Sequence, residues 1–188
     1  VAVIDANFAK EAADVIAAIR RTTKKPIRYV LDTHHHGDHA WGNAVWIKEG
    51  ATVISSRQCA KLLRETGPEE FEKEKKNPKG RKDVKEGELK FPALIFDDKL
   101  VLDDGTQRIE FMRLGHSHTI GDAVAWLPKQ RILCTGDASV NGPYNFMGHS
   151  DSASWVRCLE RMEGLGPKLV LPGHGLAEDK ALLARQKR

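Results

Sequence analysis

The chain has 188 residues, of which 40% are hydrophobic and 30% charged, a balance typical of one folded domain rather than of a disordered segment. Its formal net charge is only +4 and its acidic and basic residues are interleaved, so charge alone does not indicate a nucleic-acid partner. Three cysteines without CxxC spacing argue against a disulfide framework, and no apolar run approaches the roughly 18 residues that cross a bilayer.

The cellular location is predicted from the cysteines and from the first residues. An odd number of cysteines favours a reducing compartment, so we expect a cytoplasmic protein. The sequence opens on VAVIDA, without a start methionine or a visible signal peptide. Because this N-terminus looks incomplete, a periplasmic location stays open as the alternative.

The first part of the chain alternates predicted strands and helices. The apolar segments VAVID, PIRYVLDT and ATVISS are typical of buried strands. Helices are predicted for KEAADVIAAIRR, for a short stretch through AWGNAVWIKEG, and for RQCAKLLRE. This βαβαβα order predicts a layered α/β domain.

Residues 61–92 form a polar excursion that is rich in lysine and glutamate and has glycine and proline at its break points. Charge runs of this kind usually form a solvated helix and loop. A long excursion from a compact domain is also often functional, so the alternative is a lid over a neighbouring site.

Short predicted strands and turns follow the excursion. ALIFD, KLVLDDG, RIEFMRL, AVAWLP and RILCTGD predict strands, with a hairpin turn at Asp103, Asp104 and Gly105. SASWVRCLERMEGLG predicts an amphipathic helix with Ser152 as its N-cap. KLVLPGHG predicts a last strand and EDKALLARQKR a terminal helix, which completes a single domain over residues 1–188.

Four histidines and two aspartates lie within DTHHHGDHAWGN, residues 32–43. His34 and His36, at positions i and i+2 of an extended segment, project to the same side and can bind one ion. Beyond the bend at Gly37, Asp38 and His39 can reach a second ion. Imidazole nitrogens with carboxylate oxygens and no thiolate suit zinc, with iron or manganese as alternatives. This segment therefore predicts metal binding.

Three further segments place metal-binding side chains directly after predicted strands. LGHSHTIGD carries His116 and His118, LCTGDA carries Asp137, and LVLPGHG carries His174. Open α/β sheets bind their ligands at the C-terminal ends of strands, where loops distant in sequence can converge. We therefore group these residues with the histidine-rich segment as one predicted site.

The motifs H-x-H-x-D-H, G-x-x-H-T-x-G-D, T-G-D and P-G-H-G occur in this order over nearly the whole chain. In order and type they resemble the metallo-β-lactamase superfamily. The resemblance implies an αββα four-layer sandwich (α/β, or α+β in some schemes), here lacking the N-terminal strands usual in the family. It also implies two Zn²⁺ per chain, with Asp137 bridging them. The other implied ligands are His34, His36 and His118 for the first metal, and Asp38, His39 and His174 for the second.

The expected chemistry follows from two metal ions. Cations about 3.5–4 Å apart can hold a bridging water and lower its pKa toward neutrality, so that the hydroxide attacks a carbonyl or phosphoryl centre. Asp38 and Asp137 are the candidate catalytic residues, because both can orient that hydroxide and Asp38 can accept its proton. The sequence has no G-x-S-x-G motif for a covalent nucleophile, so we expect direct hydrolysis.

Two further groups of residues lie beside these motifs. Some residues can orient the ligand histidines by hydrogen bonding to the ring nitrogen that does not bind metal. The candidates are Asp5, Thr33, Asp122 and His116, with turn capping as the alternative for Asp5 and Asp122. Candidates for substrate contact are Tyr144, Phe146, His149 and Trp41, with core packing as the alternative for Phe146.

The resemblance leaves the substrate open. Asp137 stands where zinc β-lactamases carry cysteine or serine, so the resemblance favours the glyoxalase II-like and lactonase-like branches. We predict a zinc-dependent hydrolase of a small ester, lactone, thioester or amide, with promiscuous β-lactamase activity as the first alternative. A non-catalytic metal-binding relative or a truncated fragment is the alternative from another class.

The predicted partner is a small-molecule substrate, with neither nucleic acid nor membrane. A ribonuclease Z-like nuclease is disfavoured, because the excursion carries acidic residues and lacks interleaved aromatic residues. An uncovered sheet edge would favour a homodimer.

Overall fold

The computed structural model describes residues 1–187 and divides into two compact units, Val1–Ile95 and a second unit that begins at Phe96. Each unit contains its own sheet. The α/β class predicted from the sequence is confirmed by these two sheets and their helices. Among residues 1–187, no helix combines the length and the apolar character that crossing a bilayer requires.

The first unit is built on a four-stranded sheet in the order β1-β2-β3-β4, with parallel β1–β2 and β2–β3 pairs. Apolar side chains from this sheet, among them Val30 and Val53, pack with Trp46 and Ala12 in one core. The strands are β1 Ala2–Ile4, β2 Tyr29–Asp32, β3 Thr52–Ser56 and β4 Leu94–Phe96. The helices are α1 Ala9–Thr22, α2 Gly37–Ala40, α3 Asn43–Lys48, α4 Arg57–Glu65, α5 Gly67–Lys76 and α6 Lys82–Lys85.

The segment predicted as one short helix after the histidines consists of two helices, α2 and α3. Gly42 separates them and donates a backbone hydrogen bond of 2.6 Å to the Asn7 carbonyl oxygen. A Cβ at residue 42 would lie 2.3 Å from the carbonyl oxygen of Ala6, so only glycine allows this approach. The helix is therefore interrupted where the backbone of Ala6 and Asn7, which follows β1, contacts Gly42.

The polar excursion contains α5 and α6 and has a buried apolar side within the first unit. Phe71 and Val84 are 3% and 2% exposed. The Arg81 guanidinium lies 4.0 Å from the centre of the Phe8 ring and pairs with Glu11 at 2.6 Å. The segment is thus anchored by packing as well as by charge, and its role as a lid stays a prediction.

The second unit is built on a five-stranded sheet in the order β5-β6-β7-β8-β9, antiparallel except for the parallel β8–β9 pair. Helix α7 contributes Trp155, Leu159 and Met162 to a core that includes Leu133 and Val170. The strands are β5 Lys99–Asp103, β6 Arg108–Met112, β7 Val124–Leu127, β8 Ile132–Gly136 and β9 Leu169–Pro172. The helices are α7 Ser152–Gly164 and α8 Ala181–Gln186.

Two local predictions in this unit have different outcomes. The hairpin turn between β5 and β6 is confirmed: Gly105 has a φ of 82°, and the Asp104 carboxylate accepts a hydrogen bond from the backbone amide of Thr106. The N-cap of α7 is Asp151, and the prediction of Ser152 was wrong by one residue. The Asp151 side chain accepts a 2.7 Å hydrogen bond from the Ser154 amide, which satisfies a donor of the first turn.

Candidate metal centre

In the first unit, the candidate residues lie where the parallel strands β1 and β2 end side by side. Ile4 pairs with Leu31, and the Asp5 amide donates to the Leu31 carbonyl oxygen at 2.8 Å. Asp5 therefore follows β1 at the level where Thr33 and His34 follow β2. This is the strand-end position expected of a ligand site in a parallel sheet.

Two pairs of donor atoms converge in this unit. His34 Nε2 lies 3.1 Å from His36 Nδ1, and Asp38 Oδ2 lies 3.5 Å from His39 Nε2. Two ligands of a tetrahedral zinc ion, each about 2.0–2.1 Å from the metal, are separated by about 3.3 Å. Both spacings therefore suit a pair of ligands on a common ion. His35, the remaining histidine of the run, is buried and packs against His36 with ring centres 4.7 Å apart and ring planes inclined by 53°.

Asp5 and Thr33 contact the outer nitrogens of two candidate ligands. Asp5 Oδ2 lies 2.8 Å from His39 Nδ1, while its Oδ1 accepts the Thr33 amide at 2.8 Å. Thr33 Oγ1 lies 3.2 Å from His34 Nδ1. Contacts at Nδ1 fix the ring orientation and leave Nε2 of both histidines available to a metal.

Asp32 is a buried carboxyl group that the sequence analysis did not single out. The Asn43 amide donates a 2.8 Å hydrogen bond to Asp32 Oδ2. Burial raises the pKa of Asp32 well above its ordinary value, and the hydrogen bond from Asn43 only partly opposes this. The signal available in the sequence was its position at the end of a buried strand, immediately before the histidines.

Trp41, predicted to contact substrate, lies at the end of α2. Its ring packs on Gly37 and lies 5.2 Å from the Phe71 ring, centre to centre. Together with residues of α5, it lines an open pocket of about 690 Å³. Trp41 therefore links the histidine-rich turn to the polar excursion within this unit.

In the second unit, one carboxylate lies between two histidines. His118 is on the turn between β6 and β7, Asp137 directly follows β8, and His174 follows β9. Asp137 Oδ2 lies 3.7 Å from His118 Nε2 and 3.4 Å from His174 Nε2. His118 and Asp137 are buried, whereas the His174 side chain is 51% exposed. One aspartate oxygen thus faces two imidazole nitrogens at spacings suited to shared metal coordination.

A glycine permits the close approach of Asp137 and His174. A Cβ at Gly173 would lie 2.0 Å from Asp137 Oδ1 and 2.7 Å from the carbonyl carbon of Gly136. The Gly173 amide also donates to the Gly136 carbonyl oxygen at 2.8 Å, which fixes the two strand ends together. The P-G-H-G motif therefore needs this glycine for contact between the strand ends.

Asp122 supports the turn that carries His118 through hydrogen bonds to the residues on either side of this histidine. Its carboxylate accepts hydrogen bonds from the Ser117 hydroxyl and from the Thr119 amide and hydroxyl. This arrangement corresponds to the turn-capping alternative. Burial raises the pKa of Asp122, and the hydrogen bonds from Ser117 and Thr119 oppose the rise.

The loop after β8 carries the other candidate substrate contacts. Tyr144 is 84% exposed and Phe146 56% exposed, so neither belongs to the core. The Phe146 ring lies 6.0 Å from the His118 ring and 5.6 Å from the His149 ring. His116 Nε2 lies 2.8 Å from the His149 carbonyl oxygen, which ties this loop to the turn of His118.

Asn145 is a residue of this loop that sequence reasoning missed. Its side-chain amide donates a 2.7 Å hydrogen bond to the Asp137 carbonyl oxygen. The bond holds the loop against the strand end that carries the candidate bridging carboxylate. No pattern around residue 145 distinguishes this asparagine from an ordinary loop asparagine.

Comparison with known proteins places the chain in a family. A family model described as "Metallo-beta-lactamase superfamily" matches residues 1–174. A "Metallo-beta-lactamase type 2" of Bacillus sp. (strain 170) is 27% identical over 179 residues, covering 93% of this chain and 62% of that protein. The "2,4-dinitroanisole O-demethylase subunit alpha" of Nocardioides sp. (strain JS1661) is 22% identical, covering 80% and 41% respectively. The chain thus spans about three fifths or less of the length of these curated relatives.

Solved structures show the same fold. A metallo-β-lactamase from Pontibacter korlensis superposes with a TM-score of 0.80 at 24% identity, covering 99% of this chain and 80% of that chain. The DIM-1 metallo-β-lactamase exposed to ceftazidime superposes with a TM-score of 0.79 at 21% identity, covering 99% and 77%. These similarities confirm the predicted fold type.

Proposed function

The chain belongs to the metallo-β-lactamase superfamily, and from that premise we propose that it is a binuclear zinc-dependent hydrolase of a small ester, lactone, thioester or amide. The observation that carries the proposal is Asp137, whose Oδ2 faces the Nε2 atoms of both His118 and His174. A carboxylate oxygen between two imidazoles is the arrangement that a bridging ligand needs.

The proposed ligand sets combine the donor pairs of the two units. Each unit contributes two pairs, with atom separations between 3.1 and 3.7 Å. All the donors are nitrogen or oxygen, which suits zinc and leaves iron or manganese as alternatives for elemental analysis to decide. We assign His34, His36 and His118 to one metal, Asp38, His39 and His174 to the other, and Asp137 to both.

Zinc bound by these residues would polarise a substrate carbonyl and make water acidic enough to attack it near neutral pH. The protein's own part is to orient the reacting groups and to move the proton. Asp38, whose side chain is 37% exposed, is the candidate acceptor of that proton. Asp5 holds the outer nitrogen of His39, so that this ring cannot rotate away from its ligand position.

Small size is proposed for the substrate because three of the four candidate contacts come from one short loop. Phe146 offers an apolar ring beside His118, and Tyr144 offers a hydroxyl that can donate a hydrogen bond to a carbonyl oxygen. His149 lies next to Phe146. These residues suit an acyl group with an apolar part.

β-Lactam hydrolysis is the second candidate function, since a β-lactam is a cyclic amide. It is favoured by the names of the Bacillus relative and of the superposed structures. Asp137 argues for the ester, lactone and thioester branch first, because the resemblance places cysteine or serine near that position in zinc β-lactamases. A non-catalytic metal-binding protein remains the outcome to test against.

The test combines metal content with a substrate panel. Untagged protein is analysed for zinc, iron and manganese, and then assayed with a chromogenic ester, a lactone, a thioester and a cephalosporin. We expect about two zinc ions per chain and turnover that a chelator abolishes and zinc restores. His118→Ala should lose zinc and turnover, whereas Lys129→Ala, at an exposed position between β7 and β8, should keep both.

Two results would overturn the proposal. Protein that binds no transition metal, or binds metal but leaves every substrate intact, would show a non-catalytic relative. A single tightly bound metal with turnover would retain the hydrolase but remove the binuclear assignment and the bridging role of Asp137.

A further inference from the structure

We propose that helix α5 positions the metal-binding turn through an aromatic contact, Phe71 on Trp41 on Gly37. Phe71 and Trp41 are thus positioning residues, and the polar excursion is a fixed support for the ligands. The inference rests on the proposed function, because it needs a metal for the turn to hold.

The first contact is between Trp41 and the bend that separates the two ligand pairs. Gly37 lies between His36 and Asp38, and a Cβ added to it would meet three carbons of the Trp41 ring at 2.6–2.8 Å. The Trp41 amide also donates to the Gly37 carbonyl oxygen at 3.0 Å. The indole therefore lies directly on the backbone of the bend, and a change in its orientation displaces that bend.

The second contact is between the indole and Phe71 of helix α5. The Phe71 ring meets the Trp41 ring edge-on, with centres 5.2 Å apart and an interplanar angle of 80°. Phe8 adds a second edge contact at 6.0 Å, and the Arg81 guanidinium covers Phe8 at 4.0 Å. Because Phe71 is 3% exposed, it has no room to leave this position without opening a cavity.

Packing alone fixes the orientation of the indole. Trp41 Nε1 is buried and has no hydrogen-bond partner within the part of the chain that the structure describes. Helix α2 has four residues, too few to hold its own conformation without tertiary contacts. The turn that carries Asp38 and His39 therefore depends on the aromatic contacts for its geometry.

The experiment compares two cavities in the same excursion. Phe71→Ala removes the aromatic contact to Trp41, and Val84→Ala is the matched control, because Val84 is buried to the same degree and is not an aromatic residue. Zn²⁺ affinity is measured by competition with a chromogenic chelator, and ligand geometry by the visible spectrum of the Co²⁺-substituted protein. The melting temperature of the metal-free protein measures the structural damage of each variant.

We expect Phe71→Ala to lower Zn²⁺ affinity by about tenfold or more and to change the Co²⁺ spectrum. Val84→Ala should keep the Zn²⁺ affinity within about twofold of wild type and leave the Co²⁺ spectrum unchanged. We expect this even if Val84→Ala lowers the melting temperature as much as Phe71→Ala does. Phe71→Leu, which refills most of the volume, should restore part of the affinity. If Phe71→Ala does not fold, Phe71→Leu compared with Val84→Ala carries the test.

The two proposals fail in different ways. Phe71 variants that bind Zn²⁺ and Co²⁺ like the Val84→Ala control, in a wild type that binds zinc and hydrolyses its substrate, would overturn the positioning role alone. A wild type without metal affinity would overturn the proposed function and this inference together.

Discussion

Asp5 offers a sharp test of how the chain prepares His39 for a metal. One carboxylate oxygen accepts the Thr33 amide and the other lies 2.8 Å from His39 Nδ1. Asp5 has a φ of 66°, a left-handed conformation that asparagine also tolerates, so Asp5→Asn changes the chemistry with little backbone strain. The substituted amide keeps an oxygen for Thr33 and turns its NH₂ group toward His39.

The expected loss follows from the tautomer of His39. Facing a donor, Nδ1 must become an acceptor, which places the ring proton on Nε2, the nitrogen assigned to the metal. Replacing such an outer partner typically lowers metal affinity by about 10–100-fold, or about 1.4–2.8 kcal/mol. The site that contains His39 should weaken by this amount, while the site of His34 and His36 stays within about threefold of wild type.

Titration calorimetry of metal-free protein with Zn²⁺ resolves the two sites. Asp14→Asn is the control, since it removes an exposed carboxylate that pairs with Lys10 at 2.6 Å. This variant should titrate like wild type. The reasoning is refuted if Asp5→Asn leaves both zinc sites unchanged, or if it weakens both to the same degree.

Three further predictions concern stability and the other strand ends. Gly173→Ala should lower the melting temperature and weaken zinc binding at both proposed sites, because its Cβ would lie 2.0 Å from Oδ1 of Asp137, the candidate bridging ligand. Gly164→Ala, with open space at its Cβ, should do neither, and thermal denaturation with metal analysis distinguishes the two variants. Asp32→Asn should flatten the pH dependence of metal-free unfolding. Because the pKa of Asp32 is raised, the folded state holds this proton more tightly than the unfolded state does. Wild-type stability therefore falls as pH rises from the ordinary carboxyl range through the raised pKa. Urea titrations at several pH values should show this loss in wild type only. Leu133→Ala, at a fully buried position, should destabilise the protein by about 2–5 kcal/mol in the same urea assay, and a loss below about 1 kcal/mol would contradict the assigned core.

The strands and helices could be predicted because local pattern determined them. The strands β1, β2 and β3 and the helix α1 lie where the sequence placed them. The bounds were less predictable. PIRYVLDT suggested a strand from residue 26, but β2 begins at Tyr29, because its register pairs that residue with Thr52 at the start of β3.

The candidate ligands could be predicted because their chemistry is visible in the residue types and in their position after strands. Contacts that depend on packing could not. Phe71 and Trp41 are thirty positions apart, and the charge of the excursion concealed the fact that Phe71 and Val84 are buried. Asn145 likewise gained its role from the path of a loop, which no local pattern specifies.

The parallel pairing of β9 with β8 has a consequence for the order of folding. A parallel pair cannot be closed by a tight turn, so Leu169 reaches Ile132 only after the whole of α7 has been made and has crossed the sheet. Closing such a long loop carries an entropic penalty that slows its formation. The docking of β9, and with it the meeting of His174 and Asp137, is therefore expected late in folding. A chain still emerging from the ribosome would hold Asp137 without its second histidine until β9 had been made and had docked.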